Sequence, residues 1–155
     1  VRRAISLSLV AVLAIVAGAL LWIHRDAAAL ESVRADAMAQ APALVEDVLT
    51  YTSETVDSDL AVGADAVTGT FKEEFVEFAA TSVAPQSKAQ GISTRARVVD
   101  VGLLGVALDR VELLMFVDQI TTSFAQPAPA SSSSRVQVTV VRVGDRWLVG
   151  ELTPI

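Results

Sequence analysis

The chain has 155 residues, no cysteine, one histidine, 52% hydrophobic residues and a formal net charge of −6. Without cysteine there is no disulfide, thiolate nucleophile or zinc–cysteine site, so the fold must stand on its core alone. Arg2, Arg3 and Arg25 are three of the twelve basic residues, so from Asp26 onward nine Lys/Arg face eighteen Asp/Glu. A domain this acidic repels phosphate backbones, and no nucleic-acid partner is expected.

Ala4 to Ile23, AISLSLVAVLAIVAGALLWI, holds no charge. About twenty helical residues at 1.5 Å rise cover the roughly 30 Å hydrocarbon core of a bilayer. The run is longer than the roughly 7–15 apolar residues of a secretory signal, and it ends in bulky Leu20, Leu21, Trp22 and Ile23. An uncleaved single-pass anchor is the reading. Arg2 and Arg3 place the N-terminus in the cytoplasm and the acidic remainder outside the plasma membrane. The expected organisation is a cytoplasmic N-terminus and anchor over 1–25, a helical stalk over 26–41 and an extracytoplasmic domain over 42–155. About 130 residues beyond the anchor suffice for one compact domain.

From Ala27 to Ala41, Leu30, Val33, Ala37 and Met38 recur at helical spacing among strong helix formers. Pro42 reads as the first-turn residue of a new helix carrying Leu44, Val45, Val48 and Leu49 on one stripe. Ser58 or Asp59 reads as the cap of a short helix running to Val67. The acidic cluster Glu54, Asp57, Asp59 and Asp65 lacks the alternate-position spacing of a calcium loop and reads as a solvated face. Thr70 with Glu73 forms a potential capping box, opening a helix whose Phe71, Phe75 and Phe78 make a core-facing stripe. Pro85 marks the end of that helix or a kink within it, and Gln86 to Gly91 reads as a polar connector.

The period changes after Gly91. Ser93 to Gly102 alternates as a strand, with Gly102 and Gly105 marking a bulge or bend before a turn at Leu108-Asp109-Arg110. Val111 to Thr122, VELLMFVDQITT, reads as a central strand covered on both faces. Phe124 to Ser134 is rich in Pro, Ala and Ser and reads as a mobile loop. Arg135 to Val143 and Arg146 to Leu152 form a hairpin over Gly144-Asp145. Helices followed by about four hairpin-connected strands give an α+β domain with a curved antiparallel sheet packed on the helices.

Little in this inventory supports chemistry. His24, the one histidine, falls at the membrane boundary, so Ser/His/Asp and Cys/His sites lack their parts. Metal clusters built on His or Cys fail equally. No Gly-rich phosphate loop precedes a helix. A carboxylate in a pocket remains, and Asp118, beside Gln119, is its one candidate. The blander reading has Asp118 near the sheet edge, bonded to Thr121, Thr122 or backbone. Phe116, Asp118, Gln119 and Trp147 are the candidate pocket or interaction residues, Trp147 reading more readily as core. No catalytic residue, cofactor or metal is expected, and the protein is read as non-enzymatic.

The order of pieces resembles a known family. VTGTFKEEF, then VELLMFVDQITTS, then a Pro/Ser-rich gap and RVQVTVVRVGDRWLVGELTPI are similar to the Mce-associated membrane proteins of mycobacteria and related actinobacteria. The resemblance covers roughly Leu49 to Ile155 together with the position of the anchor. It implies a cone-shaped outer domain like nuclear transport factor 2 and VirB8. It also implies an accessory role, stabilising or assembling an Mce-type lipid transport complex through contacts with its subunits. Ile120 stands between Gln119 and Thr121-Thr122 where that family usually shows Asn-Gln-Thr-Thr. Two other functions fit the same residues: a lipid- or small-ligand-binding module using the sheet's concavity, and a VirB8-like secretion scaffold.

Overall fold

The computed structural model describes residues 27–155. Ala4 to Ile23, the expected anchor, and His24 lie outside the described residues. Among the described residues no helix is long and apolar enough to cross a membrane.

Residues 27–49 form one helix, α1. Its buried seam is Val33, Ala37, Ala41, Val45 and Val48, stepping by three or four residues so that one narrow face meets the sheet. Small Ala37 and Ala41 let the backbone approach the strands closely, and both are fully buried. Pro42, expected to open a new helix, sits inside this one instead. Its missing N–H removes only the bond to the Met38 carbonyl, and the seam on either side holds the helix together.

Helix α2 spans Val56–Ala66, with Thr55 at the N-cap position. Asp59 is not the cap; its Oδ2 accepts from Thr55 Oγ1 at 2.6 Å and from the Thr52 amide at 3.0 Å. Helix α3 spans Gly69–Phe78 with Thr68 at the N-cap position and no side-chain cap bond, so the Thr70–Glu73 box does not form. The chain then widens into a π-helical turn, Ala79–Val83, and resumes as α4, Ala84–Gln90, ending at Gly91 with φ 66°. The expected connector is therefore helical. Pro85 falls in the first turn of α4, where a missing N–H costs least, directly after the π-turn has reset the ladder.

The sheet has four antiparallel strands in the order β1-β2-β3-β4: Ser93–Val106, Arg110–Thr122, Ala130–Val143 and Arg146–Pro154. Two register shifts, between Val98 and Asp100 and between Leu103 and Gly105, bend β1. Val111, Leu113, Met115 and Val117 of β2 face the helices and are fully buried. The opposite face of β2 is not covered by any of the described residues, contrary to its apolar sequence: Phe116 and Ile120 are exposed there. Ala130 to Ser134, expected as loop, extends β3, pairing Ala130 with Thr121 and Ser133 with Asp118. The long β2 offers backbone partners along its whole length, and exposed serines can occupy a ladder whose outer face is wet.

The result is an α+β fold, three helical segments packed on one face of a curved four-stranded antiparallel sheet. Residues from β1 to β4 and from α1 share one core cluster.

Candidate functional site

The main concavity lies between the helices and the sheet, over the sheet end that carries Thr94, Thr121 and Pro154, with a volume of about 510 Å³. One wall comes from the end of α1 and the chain leaving it, Val48, Leu49 and Tyr51. Tyr51 is fixed there because its backbone bridges Thr94 of β1, with N–H to O distances of 2.8 Å in both directions. Facing it, α3 presents Phe71, Phe75 and Phe78. The stripe divides: Phe71 and Phe75 are half-buried and pack against the core cluster, as their spacing predicts, whereas Phe78 is 61% exposed. All three also line the pocket.

The floor is the inner face of the sheet at the point where its apolar alternation turns polar. Thr94, Gln119 and Thr121 point inward at positions continuous with Val98 and Val117, and the Thr94 and Thr121 hydroxyls are 3.1 Å apart. Leu152 and Pro154 of β4 close the far side. Glu74 and Tyr51 are the ionisable groups on the wall, and among the described residues no Lys, Arg or His lines it. The volume falls within the roughly 300–1,000 Å³ of small-molecule sites, and the aromatic lining with a few convergent hydroxyls suits an apolar, uncharged ligand.

The four residues singled out from sequence do not meet in one place. Gln119 lines the pocket. Phe116 and Asp118 point to the opposite face, where a second, shallower groove of about 430 Å³ runs past Val99, Ser133, Arg135 and Ile155. Asp118 is exposed, belongs to an interior strand and accepts a 2.6 Å hydrogen bond from Ser133 Oγ, not from Thr121 or Thr122. Trp147 is 2% exposed, held within the core cluster, with the Arg142 guanidinium 5.8 Å above its ring. Among the described residues no group of three His, Cys, Asp or Glu is placed to hold a metal ion. The acidic cluster disperses: Asp57 pairs with Lys88 at 2.6 Å, and Asp59 is bound within its own turn.

Sequence reasoning missed Tyr51, Thr94, Thr121 and the pocket role of the phenylalanines. The available signal was the polar residues Gln119 and Thr121 on the face of β2 that is otherwise Val, Leu and Met. Polar side chains directed at an apolar interior need a cavity or a partner.

Helices on one face of a bent four-stranded antiparallel sheet, enclosing a pocket at one end, define the class of nuclear transport factor 2-like domains to which VirB8 belongs. Solved structures share this fold at low identity. An IcmL-like type IV secretion system protein from Legionella pneumophila superposes with a TM-score of 0.65 at 11% identity, covering 79% of this chain and 93% of that one. The VirB8 protein of Agrobacterium tumefaciens gives 0.57 at 10%, covering 81% and 91%. A hexachlorocyclohexane dehydrochlorinase, LinA, gives 0.54 at 14%, covering 81% and 93%, so the same frame also carries enzymes.

Among curated sequences the chain is 32% identical over 142 residues to Outer membrane protein Rv1973 of Mycobacterium tuberculosis, spanning 90% of this chain and 86% of that protein. The chain belongs to the mycobacterial family that contains this protein. It is also 34% identical over 108 residues to the uncharacterized protein Rv1362c of the same organism, covering 70% of this chain but only 49% of that relative. No family model matches the chain.

Proposed function

We propose that this protein is a non-enzymatic scaffold subunit of a cell-envelope complex, acting through protein–protein contacts made by its nuclear transport factor 2-like domain. The observation that carries the reading is the near-complete overlap of the domain with the IcmL-like and VirB8 secretion proteins, 93% and 91% of those chains. The envelope setting is supported by the name of the relative Rv1973 and by the uncharged run Ala4 to Ile23. In this reading residues 1–25 anchor the chain in the plasma membrane with the N-terminus cytoplasmic, and the remainder stands outside. The carboxylate candidate for chemistry, Asp118, lies on the exposed face and away from the pocket, which favours a scaffold over an enzyme. Deleting the gene is expected to lower the abundance of the integral subunits of its complex; unchanged abundance would refute the proposal.

A second reading is favoured by the pocket: binding of a lipid or another apolar ligand between α3 and the sheet. Its narrower form, an accessory of an Mce-type lipid transporter, rests on the sequence resemblance. Native mass spectrometry of the purified chain should then recover a bound lipid, and a Phe75→Asp variant should lose it. A ligand-free protein from native membranes would exclude this reading.

A further inference from the structure

Exposed apolar residues occur at several places on the molecule, and five of them gather at one end of the sheet. Leu103, Leu104, Val106, Leu108 and Val143 are all exposed, Leu104 at 52% and Leu108 at 60%, and all lie toward one end of the sheet. Leu104 falls at the second register shift of β1, and Val106 pairs with Val111 at the last rung before the β1–β2 turn. Val143 joins them from β3, since the Arg142 amide donates to the Asp109 carbonyl in that turn at 2.8 Å. This end is opposite the pocket, which lies over Thr94, Thr121 and Pro154.

The direction of α1 ties the same end to the start of the described chain. Thr50 Oγ1 accepts from the Ala96 amide at 3.1 Å and Glu46 Oε1 from the Val98 amide at 2.8 Å, so α1 and β1 run in opposite directions. From Glu46 back to residue 27, α1 measures about 28 Å at 1.5 Å per residue. From Val98 to Val106, β1 measures about 26 Å at 3.3 Å per residue, somewhat less for its bulge. The start of α1 therefore lies toward the end of the sheet that carries the β1–β2 turn. Only His24, Arg25 and Asp26 separate α1 in sequence from Ile23, the end of the uncharged run.

We propose that this apolar end of the domain, with Leu104, Val106, Leu108 and Val143, is a membrane-contact surface that rests in the lipid interface of the bilayer holding the chain. The inference rests on the reading of Ala4 to Ile23 as an anchor. The local charge favours apolar contact over electrostatic attraction: Arg110 is paired with Glu112 at 3.1 Å, and Asp109 and Asp145 offset Arg142 and Arg146. Apolar surface gains free energy by leaving water for the boundary between headgroups and acyl chains. Contact at this end would hold the sheet upright and keep the pocket and the outer groove facing away from the lipid.

The absence of native cysteine makes the test direct. The full chain is reconstituted in phosphatidylcholine vesicles with a nitroxide label at Leu108→Cys, at Leu104→Cys, or at Ala128→Cys in the loop of the opposite end. Labels at 108 and 104 should relax faster with oxygen, which partitions into lipid, than with a water-soluble nickel chelate; the label at 128 should show the reverse. If the chain resists alkaline extraction but all three labels favour nickel, the contact surface is refuted and the anchor stands. If labels at 108 and 104 are immobile and shielded from both agents, protein covers this end and the lipid proposal is refuted. If alkali releases the chain, the anchor reading and this inference fall together.

Discussion

Glu46 reaches from α1 to the edge of the sheet, where its Oε1 accepts the Val98 amide at 2.8 Å. Val98 is the last paired residue before β1 bulges, and β1 is an outer strand of the sheet. One carboxylate thus caps an edge amide and fixes the height of the helix against the strand. Glu46→Ala is expected to cost about 1.5–3 kcal/mol, the usual worth of a hydrogen bond to a charged group. Glu46→Gln, which keeps an acceptor, should cost less. Hydrogen exchange at the Val98 amide checks this: exchange should accelerate strongly in the alanine variant and weakly in the glutamine variant.

Pro42 breaks the hydrogen-bond ladder inside α1 without ending the helix. Proline in a helix interior costs up to about 3 kcal/mol relative to alanine. Pro42→Ala should restore the bond to the Met38 carbonyl and stabilise the fold by about 1 kcal/mol or more. An increase in Tm is the expected result. A fall would mean that the seam needs a bend that only proline supplies.

Gly91 ends α4 with φ 66°, and Phe124 lies directly over it, its ring occupying the space where a β-carbon would stand. The Phe124 amide donates to the Gln90 carbonyl at 2.8 Å, so the start of the 123–129 loop is clamped onto the helix end. Gly91→Ala meets both a left-handed backbone and a steric overlap, and should cost about 1–3 kcal/mol. Adding Phe124→Ala removes only the overlap. The double variant should therefore be less destabilised than the sum of the two single variants, as urea titration of all four proteins would show.

The order of elements and the antiparallel sheet were legible because the hydrophobic period changes from helical to alternating after Gly91. The turns at Asp109 and at Gly144-Asp145 carried local signals, and Gly144 has the expected positive φ of 62°. Local propensity misleads at Pro42, at Gln86 to Gly91 and at Ser131 to Ser134, where tertiary contacts override it: a buried seam carries α1 through its proline, the helix resumes beyond the π-turn, and β2 recruits the serines as strand. The pocket was the least legible part. A phenylalanine at helical spacing looks the same whether it fills a core or lines a cavity, and only the polar residues opposite, Gln119 and Thr121, distinguish the two. The apolar outer residues of β2, Phe116 and Ile120, misled in the other direction, since no element of the described chain covers them.

The scaffold role is tested most directly by crosslinking in native membranes followed by mass spectrometry, comparing the full chain with a form whose Ala4 to Ile23 is replaced by a cleavable signal. Crosslinks from the domain to integral subunits of one envelope complex are expected, and their loss, with lower abundance of those subunits, in the soluble form. Undiminished complex levels and function with the soluble form, or a domain that crosslinks to no envelope subunit, would contradict it.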